Sequence, residues 1–143
     1  MHPYTYSITL RVKHPKRSLS FLEGVFNLKA QREWDIGEQR TTPKGNILEG
    51  KHTESYWCAS LENRKKSKQE SVEKSLEKWT EILSAYKSEI NNICTEGGTV
   101  EYFVWLYCNE NMGFEINSKL MANISGLKVN LAVVCDPEKM TSY

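Results

Sequence analysis

The chain has 143 residues, 39% apolar and 26% charged, which is enough for one hydrophobic core, not for two, and far from the composition of a disordered chain. Nineteen Lys and Arg oppose eighteen Asp and Glu, and a net charge of +1 excludes the broad basic field that binds nucleic acid or an anionic membrane. No basic stretch leads into an apolar segment at the start, and nowhere do about 18 apolar residues run together, so a single cytoplasmic domain spanning 1–143 is expected.

Tyr4 to Lys13 alternates, with Tyr4, Tyr6, Ile8, Leu10 and Val12 on one face and Thr5, Ser7, Thr9, Arg11 and Lys13 on the other, which predicts a strand with one wet face. Ser20 and Glu23 have the spacing of a capping box, and Leu19, Leu22 and Phe26 recur at helical intervals before Asn27, predicting a short helix. Ala30 to Ile36 and Glu54 to Leu61 read as strands. Val72, Leu76, Trp79, Leu83, Tyr86, Ile90 and Ile93 then mark one helical stripe, a core helix ended by Gly97-Gly98. The stripe is too short for a free-standing coiled coil.

Val100 to Cys108 is almost uninterruptedly apolar, as suits a central strand covered on both faces. Ser118 is placed to cap a short helix on Leu120, Met121 and Ile124 that stops at Gly126, Val129 to Cys135 returns as a strand, and 138–143 reads as a frayed tail. The order predicts an α+β domain: a ferredoxin-like split β-α-β core (βαββαβ) with an appended helix and strand, in a mostly antiparallel sheet. The helix bearing Trp79 and Tyr86 is expected to cross that sheet, with Trp79 in the core.

Catalytic signatures are missing. Cys58, Cys94, Cys108 and Cys135 form no Cys-x-x-Cys pair and stand in no ligand spacing with His2, His14 or His52, so reduced, buried thiols and no metal are expected. Gly45-Asn-Ile-Leu-Glu-Gly50-Lys51-His52 resembles a phosphate loop, but His52 stands where Ser or Thr should reach magnesium, and a strand follows instead of a helix. No Gly-x-Ser-x-Gly or similar nucleophile signature occurs. The run Arg64-Lys65-Lys66-Ser67-Lys68 reads as a solvated loop, since basic residues before a helix oppose its dipole. No catalytic residue and no cofactor are expected.

The informative stretch is the connection from Trp34 to Trp57, long for two neighbouring strands and punctuated by Gly37, Pro43, Gly45 and Gly50. Arg40, with Trp34, Tyr56 and Trp57, suits an aromatic-framed cation for a carboxylate, a phosphate or an acidic side chain, or else pins the loop by pairing internally, with Glu101 as a candidate. Thr42, Lys44, Asn46 and Glu49 complete the candidate binding surface.

The pattern Trp34-x-x-Gly37-x-x-Arg40-x-Thr42-Pro43-x-Gly45-x-x-Leu48-x-Gly50, followed by Ser55-Tyr56-Trp57, resembles the signature of the bacterial domain of unknown function 4279 family. The resemblance spans most of the chain and implies a stand-alone bacterial cytoplasmic domain, loosely associated with the immunity proteins of polymorphic toxin systems. The expected function is a non-enzymatic module that binds a protein partner through the Trp34 to Trp57 face. The alternatives are a site for a small anionic or sugar ligand at Arg40 and the tryptophans, and an enzyme whose residues carry no known motif.

Overall fold

The computed structural model describes residues 2–137, so the tail expected to fray at 138–143 lies outside the described residues. Period-two burial in the first strand, β1 (Thr5–His14), is realised: Tyr6, Ile8, Leu10, Val12 and His14 are buried on one face. There follow α1 (Leu22–Phe26), β2 (Arg32–Trp34), β3 (Gln39–Thr41), β4 (Ile47–Lys51), β5 (Ser55–Lys66), α2 (Val72–Leu83), α3 (Lys87–Thr95), β6 (Thr99–Tyr107), α4 (Ser118–Gly126) and β7 (Val129–Asp136). Five strands form one sheet in the order β2-β5-β1-β6-β7, antiparallel except for the β6–β7 pair. Its first four positions have the ferredoxin-like order, and α4 carries the chain back to lay β7 parallel to β6. The fold is α+β, as the element order predicts.

All four helices set their buried residues into one cluster on the Tyr6 face of the sheet. Phe26 of α1 meets Trp57 of β5 with ring centroids 5.9 Å apart, and Thr80 Oγ1 of α2 lies 3.0 Å from the Tyr102 hydroxyl of β6. The stripe from Val72 to Ile93 keeps one face but not one helix, because a 3-10 turn at Ser84–Tyr86 separates α2 from α3. Trp79 is only partly buried at the rim of the cluster, its indole donating to Glu62 Oε1 at 3.0 Å, so it is not the core tryptophan the spacing implies. Trp57 is.

Local capping also differs from expectation. The N-cap of α1 is Phe21, without a side-chain cap, and the Ser20 amide turns back to Ser18 Oγ, so no capping box forms. Asn117, not Ser118, caps α4, its Oδ1 accepting from the Leu120 amide at 2.9 Å. In β6, Val100, Tyr102, Val104 and Leu106 are buried, whereas Glu101, Phe103, Trp105 and Tyr107 are only partly so; the strand is covered on one face, not on both. The four cysteines are free, but Cys58 alone is buried and Cys135 is exposed.

The basic run is strand as far as Lys66 and a turn at Ser67 and Lys68. β5 continues through Lys66, and two register shifts against β1 turn Glu62 and Lys65 toward the helices. There Glu70 Oε1 accepts from Ser75 Oγ at 2.7 Å, Lys65 Nζ at 2.9 Å and Lys78 Nζ at 3.1 Å, while Glu62 takes Lys65, Lys78 and the Trp79 indole. Donors from Ser75, Lys65 and Lys78 hold the Glu70 carboxyl at about 2, against an ordinary value of 4.5. Burial raises Glu62, but its Trp79, Lys78 and Lys65 partners outweigh that and leave it lowered.

A depressed folded-state value gives stability that is complete above the ordinary carboxyl range and is lost as pH falls toward 2. The Glu70 share, discounted for its partial exposure, is on the order of 2 kcal/mol. Denaturant titrations at pH 5 and pH 2.5 should therefore show Glu70→Gln losing much less stability on acidification than the wild-type chain. Equal losses in the two proteins would refute this account of the cluster.

Candidate functional site

The long connection from Trp34 to Trp57 is a second, two-stranded sheet. β3 and β4 pair antiparallel, with Gln39 opposite Lys51 and Thr41 opposite Ile47. Thr42, Pro43, Lys44, Gly45 and Asn46 form the turn: the Gly45 amide donates to the Thr42 carbonyl at 2.8 Å, and the Asn46 amide to Thr42 Oγ1 at 3.0 Å. Pro43 supplies the fixed φ of the second turn position, and Gly45 sits at φ +90°, which a side chain resists. These are the residues of the sequence motif, and their spacing is that of a hairpin turn.

The hairpin is tied back at its base and beside its turn. Arg32 Nη2 donates to the Thr41 carbonyl at 3.0 Å, and the His52 and Gly37 amides donate to the carbonyls of Glu38 and His52. Trp34 is stacked between His52, at 4.0 Å, and Tyr56, at 4.5 Å, and its indole donates to the Glu54 carbonyl. Burial, and after it the charge of Arg40, push the His52 imidazole below its ordinary value, so it forms part of the stack as a neutral ring.

Arg40 does not sit among the aromatics. It is exposed on β3, where Nη1 donates to the Glu49 carbonyl across the hairpin at 3.0 Å, and the guanidinium over Trp34 is that of Arg32, 5.0 Å from the ring centroid. Nor does it reach Glu101, whose Oε1 accepts both Nε, at 2.7 Å, and Nη2 of Arg11. Trp57 lies on the opposite face of β5 from Tyr56 and is fully buried. Neighbours in a strand point to opposite faces, so Tyr56 and Trp57 cannot frame one cation. Of the expected surface, Arg40, Thr42, Lys44, Asn46 and Glu49 share the hairpin, Trp34 and Tyr56 stand at its base, and Trp57 belongs to the core.

Sequence reasoning passed over the helix-free face of the sheet. Cross-strand pairing sets Tyr56, Lys13 and Thr99 in one row, Arg32, Cys58, Arg11 and Glu101 in the next, then Phe103, Trp105 and Tyr107 down β6. Arg11 lies 3.9 Å above the Phe103 ring and Arg64 3.6 Å above that of Tyr107, so guanidinium planes cover the aromatic ladder. The signal was present in the period-two spacing of Phe103, Trp105 and Tyr107. Tyrosine, tryptophan and arginine are also the side chains that dominate protein interfaces.

The histidine that ends β1 is part of the fold. His14 is buried, and its Nδ1 accepts the Lys16 and Arg17 amides at 3.0 and 2.8 Å, which leaves the proton on Nε2 to be donated to Glu96 at 3.1 Å. The ring pins the turn after β1. No His, Cys, Asp and Glu group suited to a metal ion occurs among the described residues, nor does a helix long and apolar enough to cross a membrane. Compared with protein-family models, with curated proteins and with solved structures, the chain matches none.

Proposed function

We propose that the chain is a non-enzymatic module that binds a protein partner, in the manner of an immunity protein that neutralises a toxin, through the hairpin and the arginine-rich sheet face beside it. The observation that carries the reading is the hairpin itself. Every residue of β4 is exposed, Ile47 77% and Leu48 38% among them. Ile47 and Leu48 lie on β4 just after the turn and point to opposite sides of it, and connections carried on a rigid scaffold are common recognition elements. Arg11, Arg32 and Arg64, laid on aromatic rings, add beside the hairpin an arginine–aromatic surface of the composition enriched at protein interfaces. The motif residues that resemble the domain of unknown function 4279 family build this hairpin, and the immunity assignment draws on that resemblance. A small-ligand pocket framed by Arg40 and both tryptophans is disfavoured, because Trp57 is buried in the core.

The test is co-expression with the product of each adjoining gene, followed by calorimetry on any pair that co-purifies. A one-to-one complex is expected, and Ile47→Asp with Leu48→Asp should weaken it about thirtyfold or more while leaving the melting temperature unchanged. Arg40→Ala should weaken it less. Binding untouched by the hairpin double variant would remove the proposal, and an enzymatic activity abolished by His52→Ala would replace it.

A further inference from the structure

We propose that Gln39 and Arg40 are positioning residues: from neighbouring places on β3 they hold open a bulge in β4, and the bulge sets Leu48 and Glu49 where a partner meets them. The last step rests on the protein-binding reading above. Between the pairs Gln39 with Lys51 and Thr41 with Ile47, β3 has one residue, Arg40, while β4 has three, Leu48, Glu49 and Gly50. Two residues of β4 are therefore in excess. The carbonyls of all three are taken by side chains of β3. Gln39 Nε2 donates to the Leu48 carbonyl at 2.6 Å and to that of Gly50 at 3.2 Å, and Arg40 Nη1 donates to that of Glu49 at 3.0 Å.

Chemistry fixes the direction of each contact. A carbonyl only accepts, so the nitrogen of the Gln39 amide must face β4, and its hydrogens match the carbonyls of Leu48 and Gly50. Neighbours in a strand point to opposite faces, so Gln39 and Arg40 clasp the bulge from both sides. Gly50, at φ +84°, takes a backbone conformation that a side chain resists, and it packs beside the Arg40 side chain. Because β4 is exposed, water would satisfy these carbonyls unaided, and the clasp adds little net stability. What it selects is one shape. A bulge bends its strand and re-aims the side chains on it, and bulges recur beside functional sites. A surface held in its bound shape before the encounter loses less freedom on binding.

Gln39→Ala combined with Arg40→Met removes the donors of the clasp and keeps the bulk of the longer side chain. In hydrogen exchange followed by NMR, the Thr42 amide, bonded to the Asn46 carbonyl on the turn side of the bulge, should exchange about tenfold faster than in the wild type. The His52 amide, bonded to the Glu38 carbonyl at the base, and the melting temperature should not change. Gly50→Ala strains the bulge without touching either donor and should have the same effect. Against the partner that co-purifies, both variants should bind about tenfold more weakly, and Arg40→Lys, which keeps a donor for the Glu49 carbonyl, should stay within about twofold of the wild type. Unchanged Thr42 exchange in both variants would overturn the clasp, and a loosened hairpin that binds at full strength would overturn its role in presentation. If Arg40→Met weakens binding and Gly50→Ala does not, Arg40 touches the partner directly and the proposal is lost. Should no partner co-purify, the protein-binding reading fails by itself, and the exchange result still decides the clasp.

Discussion

Trp57→Ala should cost about 3–5 kcal/mol, the range for deleting a large buried aromatic, and should lower the melting temperature by roughly 10–15 °C. Trp57 is fully buried on β5, opposite Val12 of β1 and against Phe26 of α1, so its removal opens the centre of the sheet and the seat of the first helix together. Its indole Nε1 has no hydrogen-bond acceptor among the described residues. Trp57→Phe, which keeps the ring and deletes that donor, should accordingly cost only about 1–2 kcal/mol. Trp79→Ala should cost less than Trp57→Ala, because Trp79 lies at the rim. Chemical denaturation of the three variants checks the order, and a larger loss at Trp79 than at Trp57 would show that the core has been misidentified.

Gly98→Ala should cost about 2–3 kcal/mol, a large effect for one methyl group. A Cβ at Gly98 would stand 2.6 Å from the Lys13 carbonyl oxygen, 2.7 Å from Ile93 Cγ2 and 3.0 Å from the Ile93 carbonyl oxygen. The first of these belongs to the backbone of β1 and the second to a fully buried side chain, so neither yields cheaply. The Gly98 amide also donates to the Ile93 carbonyl at 2.8 Å, closing the end of α3. Gly126→Ala is the control: nothing lies within 4 Å of its Cβ, and in a helix the change should be neutral or stabilising by up to about 1 kcal/mol. Equal melting temperatures for the two variants would refute the close-approach argument.

The elements legible in the sequence were those with a buried, periodic face. β1 and the α2–α3 stripe each bury one side against the other, and burial is what imprints a period. β3 and β4 escaped because both are short and nearly all exposed, so no alternation marks them and their turn residues read as loop. The last turns of β5 escaped for a different reason: two register shifts break the period, and Glu62 and Lys65 are charged residues whose inward placement depends on each other, on Glu70 and on Lys78. β6 reads as doubly covered because Phe103, Trp105 and Tyr107 count as apolar, although on that face arginines rather than helices lie over Phe103 and Tyr107. The candidate site suffered most, since which arginine meets which ring depends on register, and Arg11 and Arg32 took the roles the sequence suggested for Arg40.

The sheet order has a consequence in time. β1 is made before the other strands, yet its two neighbours are β5 and β6, and the pairing of Thr5 with Tyr107 spans most of the described chain. Closing so long a loop is entropically costly before any side chain packs, and folds dominated by such contacts fold slowly. During synthesis the amino-terminal strand therefore stands with both edges bare until β5, and then β6, have emerged. In that interval it is the segment most open to mispairing, and the polar alternation of Thr5, Ser7, Thr9, Arg11 and Lys13 along it is what keeps the waiting strand soluble.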